Sequence, residues 1–120
     1  MDETYLQTVA TEACDFLGIP AVKITVKGGV RRGRAHIKNN TATVPAWALK
    51  LHIGYAIYYT LHETVHFRMW KHGPEFQALE RDLCAHFGII LFYRRVFPDA
   101  LVWEGKHISC AKKDIKKANS

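Results

Sequence analysis

His62, Glu63 and His66 stand in one stretch, Leu61-His62-Glu63-Thr64-Val65-His66, and His72-Gly73-Pro74-Glu75-Phe76 follows closely. Residues four apart on a helix share a face, with Cβ atoms about 5–6 Å apart, so His62 and His66 can offer two imidazole nitrogens to one tetrahedral cation. In such a His-Glu-x-x-His arrangement the histidines hold zinc and the intervening glutamate takes the proton of the attacking water. Short patterns arise by accident, and at this content of His and Glu roughly 2 chains in 100 would show one. The flanking residues add weight. Gly54 to Leu61 continues through Val65, Phe67, Met69 and Trp70 as an apolar segment without proline, long enough for a mostly buried helix. An ionisable group on that helix is costly unless it is paired or binds a metal.

A catalytic zinc takes three protein ligands and leaves one position open. At 100° per residue His72 would lie about 240° around from His66 if the helix simply continued, which is the wrong face. The helix is therefore expected to stop, with Gly73 in the left-handed position after its end and Pro74 in the first turn of the next helix. That break returns His72 to the pair, giving His62, His66 and His72 as metal ligands, Zn2+ as cofactor and Glu63 as the catalytic base. Glu75 is a competing third ligand, but a carboxylate at a helix start is already explained by the helix dipole and its free N–H groups.

With His72-Gly73-Pro74-Glu75-Phe76 followed by Leu79-Glu80, these motifs resemble the SprT-like (Spartan-like) zinc metallopeptidase domain. The resemblance runs from about Val44 to Pro98 and includes Tyr58-Tyr59, Phe87-Gly88-Ile89 and Tyr93. It implies a compact, zincin-like α+β fold, zinc on His62, His66 and His72, and Glu63 as general base. Many members carry a cysteine-based zinc ribbon after this domain, whereas this chain has no Cys-x-x-Cys pair.

The elements that must position these residues can be read in order. Tyr5, Val9, Ala13 and Phe16, with Leu6 and Leu17, recur at helical spacing and end at Gly18 and Pro20, which predicts an amphipathic first helix. Residues 21–26 alternate apolar and polar, Gly28-Gly29 makes a turn, 33–38 alternate again, and Asn39-Asn40 turns the chain into 41–44. Three short antiparallel strands are expected, and an edge strand of such a sheet can pair with an extended peptide through its backbone. Trp47 reads as core. After Pro74, the stripe Phe76, Leu79, Leu83 and Phe87 predicts a second helix, with Glu80, Arg81 and Asp82 on its polar face. Residues 89–103 are apolar enough to pack back on the core. Tyr93 is expected to pack there, its phenol being a weaker candidate donor to a tetrahedral intermediate. The fold expected is thus α+β: an N-terminal helix, a small three-stranded antiparallel sheet, the histidine-bearing helix and a following helix. One domain over 1–105 and a flexible basic tail over 106–120 complete it.

Of 120 residues 48% are hydrophobic, enough for one core. Cys14, Cys84 and Cys110 are odd in number and far apart, so they read as reduced thiols. No run reaches the ~18–20 apolar residues of a membrane span, and the acidic start Met1-Asp2-Glu3 is unlike a secretory signal, so an intracellular protein is expected. The net charge is +6, from 17 Lys and Arg against 11 Asp and Glu. Lys27, Arg31, Arg32, Arg34 and Lys38 form one cluster and the tail lysines another, which suits DNA or RNA phosphates as well as a solvated surface. The function expected is a zinc endopeptidase on protein substrates, including DNA-associated ones. The competing classes are a basic nucleic-acid- or protein-binding module with a structural or vestigial zinc site, and a metal-dependent hydrolase of other substrates. A closed structural site would need a fourth ligand, and no cysteine lies near the motif.

Overall fold

In the computed structural model, which describes residues 3–118, everything is built around one buried helix. The order is α1 (Glu3–Leu17), β1 (Lys23–Lys27), β2 (Arg34–His36), a 3₁₀ turn at Ile37–Asn39, β3 (Thr41–Pro45), α2 (Ala46–Leu51) and α3 (Ile53–Val65). Then follow α4 (Pro74–His86), β4 (Ile89–Tyr93), β5 (Pro98–Trp103), β6 (Lys106–Ser109) and α5 (Lys112–Ala118). The architecture is α+β, with five helices and two three-stranded sheets.

α3 carries the histidine motif and has 11 of its residues buried, against α1 and β3 on one side and α4 on the other. α1 presents Leu6, Val9, Ala10, Ala13, Cys14 and Leu17 to this core at i, i+3, i+4 and i+7 spacing. Tyr5 and Phe16, expected on the same face, point outward at 39% and 44% exposure. Side chains of α1 also close the free edge of β1: Gln7 donates to Val22 O at 2.9 Å and accepts from Ile24 N at 2.8 Å, and Glu3 accepts from Val26 N at 2.8 Å.

The first sheet corrects the expected antiparallel meander. Its order is β1-β3-β2, with β1 parallel to β3 and β2 antiparallel to it. Gly29 does turn, at φ 72°, but the chain then runs on through Arg32 and Gly33 before pairing. Crossing two strand spacings takes about 9–10 Å, which six residues span easily. β3 carries fully buried Ala42 and Val44 and so takes the centre, and three-residue β2, with exposed Arg34, takes an edge.

Residues 89–109 form a second sheet, the antiparallel meander β4-β5-β6. Residues 106–120 are therefore not a free tail as far as 118: Ile108 and Cys110 are buried, and α5 packs on α2 with Ile115 against the core. The last residues of the expected tail lie outside the described residues. No helix among the described residues is long and apolar enough to cross a membrane.

Candidate metal centre

α3 ends at Val65, earlier than the apolar run suggested. Arg68 N and Met69 N both bond to Val65 O at 2.9 Å, closing the last turn. Residues 66–73 then form a link that is pinned from outside, since Arg68 Nη1 donates to Leu17 O at 2.7 Å. Gly73 is extended, φ 174°, and precedes Pro74 at the start of α4; it does not take the left-handed conformation expected of it. The break still has the expected effect, because it brings His72 back over the end of α3.

His62, His66 and His72 converge, each offering one ring nitrogen within 4.8 Å of the others. His72 Nε2 stands 3.3 Å from His62 Nε2 and 3.1 Å from His66 Nε2. Nitrogens bound to one tetrahedral ion at about 2.0–2.1 Å would be ~3.3 Å apart, so the spacing fits a common metal. Phe76, buried on α4, lies beneath all three rings, with centroid distances of 5.1, 4.8 and 4.9 Å to His62, His66 and His72. The rings grade outward: His62 is buried, His66 half-buried and His72 exposed. Burial pushes His66 down to about 4, with the neighbouring His62 and His72 adding to it and the backbone of Trp70 and Met69 acting in the opposite sense. A neutral imidazole is the form a metal requires. Among the described residues His66 Nδ1, though buried, has no hydrogen-bond partner.

His62 is held from behind. Its Nδ1 donates to Glu80 Oε2 at 2.5 Å, and the Tyr58 hydroxyl lies 3.4 Å from the same nitrogen. Glu80, 1% exposed, also accepts from the Tyr93 hydroxyl at its other oxygen, and Arg81 covers the Tyr93 ring at 4.7 Å. Tyr93 thus packs and bonds to Glu80. A carboxylate behind a ligating histidine fixes which ring nitrogen faces the metal. Sequence reasoning assigned Glu80 to the polar face of α4, yet it shares the buried face with Phe76, Leu83 and Cys84. The signal was present, as a charge four residues after Phe76 and three before Leu83.

Glu63, one residue on, points about 100° around the helix and meets the other half of the chain. It is 6% exposed, and burial pushes its carboxyl up to about 7, against the pull of His62 and with the charge of Glu80 adding to the rise. Gly33 lies directly against it. A Cβ there would collide with Tyr59 Cε1, stand 2.5 Å from Thr43 O and come within 3.2 Å of Glu63 Oε2. Gly33 N donates to the Tyr59 hydroxyl at 2.7 Å and Trp47 Nε1 donates to Arg31 O at 3.1 Å, so the loop before β2 is fastened at two points. Arg31, Arg32 and Arg34 are exposed on that loop and at the start of β2. Glu75 is exposed in the first turn of α4 and is not part of the three-residue group.

Fold and residues together define a three-histidine site able to hold a metal ion, with a buried carboxyl beside it, on a small α+β domain. Compared with protein families, curated proteins and solved structures, the chain matches none.

Proposed function

We propose that the chain is a zinc-dependent endopeptidase of the SprT-like kind, with Zn2+ on His62, His66 and His72 and Glu63 as general base. The observation that carries the reading is the meeting of three histidine nitrogens at tetrahedral spacing beside a buried carboxyl. Zinc, when bound, would supply Lewis-acid polarisation of the scissile carbonyl and of the attacking water. Glu63 takes the proton of that water and delivers it to the leaving amine, a role for which a buried carboxyl beside the site is suited. Glu80 holds His62 in place during this exchange. β2 offers a site for substrate backbone: β1 is closed by Gln7 and Glu3, while β2 is the opposite edge and directly follows Gly33, which lies against Glu63. Pairing there would recognise backbone more than side chains, and a protein substrate follows. Arg31, Arg32 and Arg34 beside that edge would accept DNA or RNA phosphates, which extends the substrates to nucleic-acid-associated proteins.

Glu63→Gln tests the reading. Glutamine keeps the size and lacks a basic oxygen, so zinc content should hold while cleavage of an unfolded protein falls by about 10²–10⁴-fold. A variant that cleaves as fast as the zinc-loaded parent, or a parent that cleaves no protein with or without DNA, overturns it.

A further inference from the structure

Among the described residues eight large hydrophobic side chains are exposed, and two of them stand against the histidines. Trp70, 60% exposed, stands on the α3–α4 link with its ring 5.2 Å from that of His66. Phe97, 53% exposed, stands on the loop between β4 and β5, its ring 5.5 Å from His62 and 5.1 Å from His72. They reach the three histidines from separate elements, and both elements are tied down. Arg68 fastens the link, and its neighbours Phe67 and Met69 turn into the core, which leaves Trp70 outward. Gln77 Nε2, from α4, donates to Arg95 O at 2.7 Å and to Val96 O at 3.2 Å, which holds the loop that carries Phe97. A separate cleft of about 270 Å³ is lined by Met69, Lys71, His72, Pro74, Glu75 and Phe76 and by neither Trp70 nor Phe97. The cost of exposing two anchored aromatic rings is recovered when an apolar group covers them.

We infer that Trp70 and Phe97 are the walls of a side-chain subsite that selects an apolar, preferentially aromatic, residue of the polypeptide next to the scissile bond. This rests on the peptidase reading for the bond, while the preference itself is a property of the metal site and can be measured without cleavage. A peptide held by its backbone keeps its side chains free for such a subsite, so broad backbone recognition and local side-chain choice are compatible.

The experiment compares two small metal-binding probes on the zinc-loaded protein by calorimetry, acetohydroxamic acid and its phenyl-substituted homologue phenylacetohydroxamic acid. Partial burial of the phenyl ring should tighten binding roughly tenfold. That ratio should fall to about two in Trp70→Ala and in Phe97→Ala with zinc content retained, and Phe97→Leu should restore part of it. Peptides with Phe or Ser beside the cleaved bond should show the same order in kcat/KM. Equal affinity of the parent for both probes, or a ratio that survives both alanine substitutions, overturns the subsite. A strong aromatic preference in a protein that cleaves no peptide keeps the subsite and sinks the peptidase reading. A chain that takes up no zinc binds neither probe through metal and overturns both.

Discussion

Glu80 is the residue whose removal should say most about how the site works. Its two oxygens each receive a donor, Nδ1–H of buried His62 and the hydroxyl of half-buried Tyr93. In Glu80→Ala both donors lose their acceptor, and a buried unsatisfied donor costs about 1–3 kcal/mol. Part of that is offset because a buried carboxylate disappears too. The informative variant is therefore Glu80→Gln. Its amide oxygen can still accept from His62, and its NH2 can donate to a Tyr93 hydroxyl that has rotated to accept, so shape and pairing survive and only the charge goes. Groups behind ligating histidines typically contribute 10–100-fold to metal affinity. Glu80→Gln should weaken zinc binding about tenfold and Glu80→Ala about 100-fold, or ~1.4 and ~2.7 kcal/mol. Tyr93→Phe, one contact further out, should cost less than Glu80→Gln. The assay is competition with a chelator of known affinity, run beside thermal unfolding with and without zinc. A role in packing alone would lower the melting temperature of the metal-free protein and leave the zinc-induced rise unchanged. Zinc affinity of Glu80→Ala within twofold of the parent would falsify the idea that this carboxyl orients His62.

Other substitutions probe the remaining parts. His72→Ala should strip most of the bound metal; unchanged occupancy, with loss in Glu75→Ala instead, would reassign the third ligand. Gly33→Ala forces a methyl group against Tyr59 and Thr43 O and should destabilise the fold by roughly 1–3 kcal/mol, with cleavage reduced and zinc affinity held; denaturant titration and chelator competition read the two separately. Reversing the charges of Arg31, Arg32 and Arg34 should abolish salt-sensitive binding to DNA or RNA, and binding that is absent at low salt, or indifferent to the reversal, removes nucleic acid as a partner.

What the sequence revealed follows from how far apart the interacting residues lie. His62, Glu63 and His66 fall within one helical turn and the Gly73-Pro74 break within the next few residues, so local rules locate the site. Glu80 is 18 residues from His62, and only its place on the apolar stripe of α4 marks it. Strand pairing is less legible still. The Gly28-Gly29 turn is real, yet no local signal tells that β3 will enter between β1 and β2. The second sheet is hidden for another reason. Ile90 and Phe92 face outward on β4 and are apolar like the inward Ile89 and Leu91, so the two-residue alternation that betrays a strand is erased. In residues 106–118 lysines dominate, and the four side chains that attach the segment, Ile108, Cys110, Ile115 and Ala118, are too few to give a period.

The two consecutive residues at the centre of the motif are served by different halves of the chain. His62 leans on Glu80, which α4 supplies and Tyr93 of β4 completes. Glu63 leans on Gly33 and lies beside Tyr59, whose hydroxyl holds the loop before β2, and β3 closes the space behind it at Thr43. In the peptidase reading, each buried flank of α3 serves a separate part of the proposed chemistry. Metal affinity is then set mainly from the Glu80 side and the position of Glu63 mainly from the Gly33 side, with the charge of Glu80, which raises the Glu63 carboxyl, as the link between them. Alterations at Glu80 or Tyr93 should move zinc affinity first and carry activity down with it, restorable by excess zinc. Alterations at Gly33 or Tyr59 should lower activity at full zinc occupancy, beyond rescue by added metal. A Tyr59→Phe variant whose lost cleavage returns on adding zinc would break this division, because it would tie the loop before β2 to the metal rather than to Glu63.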